Sequence, residues 1–128
     1  MKDKSIGLIE LSSVAAGFAV ADAMLKAGAV QLLLSRSICS GKYMVLISGD
    51  AAAVQSAVQA GVEAAAGCCI DSFVIPNVHP EVLAALGRTQ VPEPAGALGI
   101  LESFNVASLI EAADAAVKSA PVQLLELR

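Results

Sequence analysis

The chain has 128 residues, of which 56% are hydrophobic and only 3% aromatic, with a formal net charge of −4. With one Tyr, three Phe and no basic run, it lacks the clustered Lys/Arg and stacking aromatics of a nucleic-acid surface. Its apolar stretches are broken by Asp22 and by Gln55, Gln59 and Glu63, short of the roughly 20 residues a membrane helix needs.

The opening residues, Met1-Lys2-Asp3-Lys4-Ser5, run straight into a short apolar strand, Ile6-Gly7-Leu8-Ile9-Glu10. No signal-peptide apolar region precedes it, so a cytosolic protein with reduced cysteines is expected. Ser13 is placed to cap a helix. Val14, Phe18, Ala21 and Leu25 then recur at helical spacing, which predicts that they form its buried stripe, and Gly28 closes it. Residues 30–35 read as a strand. A polar turn around Cys39, Ser40 and Gly41 follows, and then a second strand over 42–48.

Asp50 is the next helix cap. Val54, Val58, Val62 and Ala65 form the apolar stripe of a second helix, which Gly67 ends. Residues 70–75 are a β-branched and aromatic strand stopped by Pro76. Pro80 starts a short helix whose Val82, Leu83 and Leu86 are expected to face inward before Gly87. The order β-α-β-β-α-β with a terminal helix predicts an α+β, ferredoxin-like plan. An alanine-rich, aliphatic core buries little area per residue, so subunit contacts are expected to add stability.

Residues 89–95, with Pro92 and Pro94 around Glu93, read as a stiff linker. Beyond it the chain repeats itself. Residues 6–36 lie on residues 98–128 without a gap, and Gly7/Gly99, Glu10/Glu102, Val14/Val106, Asp22/Asp114, Lys26/Lys118 and Arg36/Arg128 are identical. A repeat of this length is a domain rather than a solenoid unit. The expected organisation is a first domain over 1–88, the linker 89–95, and the β-α-β opening of a second copy over 96–128, with strands at 97–102 and 122–127. That second copy is incomplete. Arg128 is therefore expected to be a processed or artificial end, or the second domain to be completed by further material.

Taken in this order and twice over, these motifs resemble the bacterial microcompartment shell proteins. The resemblance rests on Ile6-Gly7-Leu8-Ile9-Glu10, on Ala21-Asp22-Ala23-Met24-Leu25-Lys26 with its counterpart Ala113-Asp114-Ala115-Ala116-Val117-Lys118, on Gly49-Asp50-Ala51-Ala52-Ala53-Val54, and on Val74-Ile75-Pro76-Asn77-Val78-His79-Pro80. Two copies in one chain resemble the tandem-domain class of that family, which implies a homotrimer of pseudo-hexagonal outline in the shell, beside other shell proteins and encapsulated redox enzymes. The segment Ser37-Ile38-Cys39-Ser40-Gly41-Lys42 is similar to that of the propanediol-utilisation T type within the class. There the resemblance implies a pore loop (Ile38, Cys39, Ser40 and Gly41) at the threefold axis, where three copies of Cys39 share a [4Fe–4S] cluster that passes electrons across the shell. Ser40 departs from that pattern, which expects Pro.

The residues taken alone leave other readings open. Fe–S clusters usually need four protein ligands, so Cys39 of one chain is otherwise an exposed turn thiol, and the tile an empty pore that passes metabolites. Lys26 and Lys118 complement the dipoles of matching helix ends; the resemblance adds a tile-edge role for both, shared with Asn77 and His79. Asn77 stands where single-domain relatives often carry Arg. His79 suits a cap on the short helix better than catalysis. Cys68-Cys69 lacks the spacing of a metal pair and reads as small buried hydrophobes. Glu10 and Glu102 read as structural carboxylates. No phosphate loop, catalytic triad or zinc spacing is present, so an enzyme is the least expected class. A small-molecule-binding regulatory domain on the same plan is the rival of a different kind.

Overall fold

The computed structural model describes residues 5–89 and 96–128. The chain divides into two compact units, one ending at Asn77 and the other beginning at Val78. The predicted linker lies outside the described residues except for Thr89.

The first unit contains β1 (Ser5–Leu11), α1 (Val14–Ala27), β2 (Gln31–Cys39), β3 (Lys42–Gly49), α2 (Ala51–Ala65) and β4 (Cys69–Ile75). The four strands form one sheet in the order β2-β3-β1-β4, with every neighbouring pair antiparallel. This is the split β-α-β arrangement of the ferredoxin-like plan expected from the element order.

Both helices begin where the sequence signals them. Ser13 accepts a hydrogen bond from the Ala16 N–H at 3.2 Å, and Asp50 accepts one from the Ala53 N–H at 2.9 Å. Each side chain satisfies a donor that the first helical turn leaves without an intrahelical partner. α2 ends on the left-handed residues Ala66 (φ 50°) and Gly67 (φ 92°).

The core lies between the helices and one face of the sheet. Ile9, Leu11, Tyr43, Val45 and Ile47 meet Val20, Met24, Val54, Ala57 and Val58 there. β1, a central strand of the sheet, is buried along its whole length.

The face that α1 buries differs from the predicted one. Val14, Phe18 and Leu25 are exposed, Phe18 by 67%, whereas Gly17, Val20, Ala21 and Met24 are buried. The helix is turned by about one residue from the expected stripe. Gly17 lies against the Tyr43 ring with no room for a Cβ, so a small residue, rather than the largest apolar one, sets the closest approach of helix and sheet. In α2, likewise, Ala57 and Gly61 are buried while Val62 is 38% exposed.

The second unit contains α3 (Pro80–Ala85) and α4 (Val106–Ser119). Asn105 caps α4 by accepting from the Ser108 N–H at 2.9 Å, so the repeat keeps the capping chemistry of Ser13 with a different residue. Of the inward set predicted for α3, Val82 is buried and Leu83 and Leu86 are half-buried, with Ala85 buried as well. Residues 97–102 and 122–127 are not strands. Among the described residues no ladder lies beside 97–102, and Leu98, Ile100 and Leu101 are largely exposed. Leu127 forms a single parallel bridge with Leu86. A strand exists only through hydrogen bonds to a neighbour, so β propensity alone does not produce one.

Candidate functional site

The pore-loop residues of the sequence lie at the tip of the β2–β3 hairpin. β2 continues four residues past the predicted strand end, so Cys39 is its last residue and pairs with Lys42. Only Ser40 and Gly41 make the turn. Gly41 has φ 75°, a conformation common in two-residue hairpin loops and easily adopted only by glycine. The register shifts between Ser37 and Cys39; such irregularities re-aim side chains at strand ends. Ile38 is half-buried, while Cys39, Ser40 and Gly41 are exposed. The Cys39 thiol is free, and its Sγ lies 3.9 Å from the Ser40 carbonyl oxygen.

The root of this hairpin is anchored by charge. Glu10 is fully buried in β1, and its carboxylate lies 2.7 Å from Lys42 Nζ. One strand further out, the Tyr43 and Ser35 hydroxyls are 2.6 Å apart and join β3 to β2. The partner of Glu10 is not evident from sequence spacing, because Glu10 and Lys42 lie on different strands.

The two matched lysines sit in matched pairs. Lys26 Nζ lies 2.6 Å from Asp22 Oδ2, and Lys118 Nζ lies 2.6 Å from Asp114 Oδ2. Both pairs span i,i+4 on a helix, a spacing that is a readable signal in the sequence. Each lysine is also in the last turn of its helix, where the dipole favours a cation. The first pair is exposed. In the second, Asp114 is buried and also accepts the backbone N–H of His79 at 2.8 Å. His79 is the cap of α3, its Nδ1 accepting from the Glu81 N–H at 3.2 Å. The structure thus joins His79 to Lys118 through Asp114. In the first unit, Lys26 lies in α1 and the exposed Asn77 in the turn that follows β4.

Cys68 and Cys69 are half-buried against the core rather than enclosed in it. Burial, with a smaller effect from the Asp71 and Glu10 carboxylates, pushes the Cys69 thiol up. Among the described residues of one chain, no three His, Cys, Asp or Glu side chains gather closely enough to hold a metal ion. An open groove of about 520 Å³ between α2 and β4 is lined by Gln55, Gln59, Glu63 and Phe73, among others, and includes none of the residues singled out for chemistry. No helix among the described residues is long and apolar enough to cross a membrane.

Comparison with known proteins agrees with this geometry. The BMC domain family model matches residues 5–78 and 97–128. The chain is 42% identical over 124 residues to the bacterial microcompartment shell protein PduT of Citrobacter freundii, covering 97% of this chain and 67% of that one. It is 32% identical over 136 residues to the carboxysome assembly protein CcmO of Synechocystis, covering 95% of this chain and 46% of that protein. A crystal structure of a microcompartment protein from Desulfitobacterium hafniense superposes with a TM-score of 0.75 at 47% identity, covering 97% of this chain and 69% of the other. The chain therefore belongs to the BMC domain family, the family of the bacterial microcompartment shell proteins that it resembles.

Proposed function

We propose that this shell protein is a trimeric tile in which three β2–β3 hairpins converge on a central pore, and that three Cys39 thiolates there hold a [4Fe–4S] cluster. The observation that carries the reading is the exposed Cys39 thiol at a two-residue hairpin tip. It suits a ligand set that no single chain can complete, since one chain gathers no metal-binding group among its described residues. A threefold axis makes three ligands of one, and leaves one iron for a non-cysteine or external ligand. Bound there, the cluster supplies one-electron chemistry. The chain's own part is to present the thiol: the Glu10–Lys42 pair and the Ser35–Tyr43 bond hold the hairpin root against the sheet.

The role is structural rather than catalytic, and its place is the microcompartment shell. The tile edge comprises Lys26, Lys118, Asn77 and His79, meeting other shell proteins. Encapsulated redox enzymes are the electron partners. Protein purified anaerobically is expected to be brown with about one cluster per trimer, and Cys39→Ser colourless with the trimer intact. An iron-free wild type after anaerobic reconstitution would refute the cluster and leave a tile with an open metabolite pore. Lys26→Ala is expected to weaken sheet formation seen by electron microscopy without dissociating the trimer; unchanged sheets would count against the edge role.

A further inference from the structure

The first unit leaves one sheet edge regular and open. In the order β2-β3-β1-β4, β4 has β1 on one side and, among the described residues, no strand on the other. Alternate N–H and C=O groups of an edge strand point away from its neighbour, where a further chain can pair with them. The opposite edge, β2, is interrupted by two register shifts, and such irregularities blunt an edge. β4 has one shift, near its start, and is regular from Asp71 to Ile75. Its central donor is guarded: the Ser72 N–H is held by Asp71 Oδ1 of the same chain at 2.8 Å. Beside this edge lies the open groove of about 520 Å³ between α2 and β4, and Val62 and Ile70 are 38% and 42% exposed.

The two walls of the groove are complementary to themselves. Ile9 pairs with Ser72 and Gly7 with Val74. A Cβ on Gly61 would meet Ile9, and one on Gly7 would meet Val58. Gly61 of α2 therefore stands level with Ser72 of β4, and Val58 with Val74, so helix and strand run antiparallel. A twofold axis through Ser72, normal to the sheet, keeps both helices on one face. Gln59 and Glu63 lie two residues to either side of Gly61. The axis thus brings Gln59 of each α2 level with Glu63 of the other, an amide donor facing a carboxylate on both sides. It also sets Asp71 opposite Phe73. An axis at Asp71 would instead oppose the two carboxylates, and one at Phe73 would oppose Ile70 to Pro76, which has no N–H to give.

We infer that the outer edge of β4 is a self-association face, on which β4 of a second copy of this chain pairs antiparallel about a twofold axis at Ser72. The four-stranded sheet becomes continuous across the pair, and the two α2–β4 grooves close on each other around Val62. Pairing exchanges the Asp71 guard on the Ser72 N–H for the Ser72 carbonyl of the second copy, so the guard sets how tightly the copies associate. An isologous contact of this kind closes on itself after two copies. It doubles whatever assembly the chain otherwise forms, and rests on neither the cluster nor the trimer.

Sedimentation equilibrium of the whole chain, from micromolar to millimolar concentration, reads the contact as a doubling of mass. Gln59→Glu is an exposed change that sets carboxylates level with each other twice per pair. It is expected to weaken the doubling about tenfold, and Gln59→Lys to strengthen it by the same order. Asp71→Ala releases the Ser72 N–H in both copies and is expected to tighten the doubling about tenfold. Ser72→Pro removes that donor, at a position where an edge strand tolerates proline, and is expected to abolish the doubling. A wild-type chain that does not double at millimolar concentration would overturn the inference. So would a doubling that neither Gln59 variant changes. The same runs separate this contact from the trimer. Doubling of a monomer or of a trimer supports the β4 face alike, whereas a trimer that does not double refutes the β4 face alone.

Discussion

Replacing Lys42 by Met tests how the hairpin that carries Cys39 is held. The Glu10 side chain is fully buried and the Lys42 side chain is 26% exposed, with 2.7 Å between Glu10 Oε2 and Lys42 Nζ. At an effective dielectric constant of about 20, that separation corresponds to an attraction of about 6 kcal/mol. Desolvation of the lysine offsets part of it, and breaking a buried pair typically costs about 3–5 kcal/mol because one charge is left uncompensated. Lys42→Met is therefore expected to lose about 3 kcal/mol, a large share of the roughly 5–15 kcal/mol that stabilises an ordinary domain. The double variant Glu10→Met/Lys42→Met removes both charges and is expected to lie within about 1 kcal/mol of the wild type. Urea denaturation followed by circular dichroism measures all three proteins. With a slope of about 1.5 kcal/mol/M, the single variant should unfold about 2 M urea earlier. A single variant that costs less than about 1 kcal/mol, or a double variant less stable than the single, would refute the assignment of Lys42 as the counter-charge.

Gly17→Ala and Gly61→Ala each gain about 1 kcal/mol of helix propensity, but their surroundings differ. A Cβ at Gly17 meets the Tyr43 ring, which is tied to Ser35, so a net loss of about 1–2 kcal/mol is expected in thermal unfolding. At Gly61 the Cβ meets Ile9 Cδ1 and Met24 Cγ and Sδ, atoms of unbranched side-chain stretches that can rotate away, and a change within about 1 kcal/mol is expected; the reverse order would disprove the packing account. The raised thiol of Cys69 predicts that iodoacetamide labels the exposed Cys39 first and Cys69 more slowly, read by peptide mass spectrometry. The folded state keeps the Cys69 proton to higher pH than the unfolded chain does. Its contribution to stability is therefore full below the ordinary thiol value and is lost as pH rises through the raised one. Cys69→Ala should flatten that alkaline fall, and an unchanged slope would exclude Cys69 as its source.

Much of this was readable from local chemistry. Ser13, Asp50 and Asn105 mark helix starts because they accept from N–H groups that any helix leaves open, whatever it packs against, and Pro80 because it has no N–H to leave open. The order of elements predicted the ferredoxin-like plan to which the β2-β3-β1-β4 sheet conforms, and the repeat located matching helices with matching caps. Cys39 was found at a turn, although β2 runs on to reach it, because pairing with β3 extends a strand beyond what its own residues favour.

What local chemistry could not decide was which groups face each other. Phe18 is the largest apolar residue of α1, yet Gly17 faces the sheet, because the closest approach of two elements is set by the smallest residue at their contact. Residues 97–102 repeat the pattern of β1 and form no strand, since backbone pairing needs a neighbour that pattern cannot supply. Glu10 and Lys42 meet across strands 32 positions apart in the chain. The sequence by itself determined where elements begin, what caps them, that a domain recurs and to which family it belongs. Only the tertiary structure decided that two helices matched in the repeat bury different faces, because burial depends on the neighbours as well as on the helix.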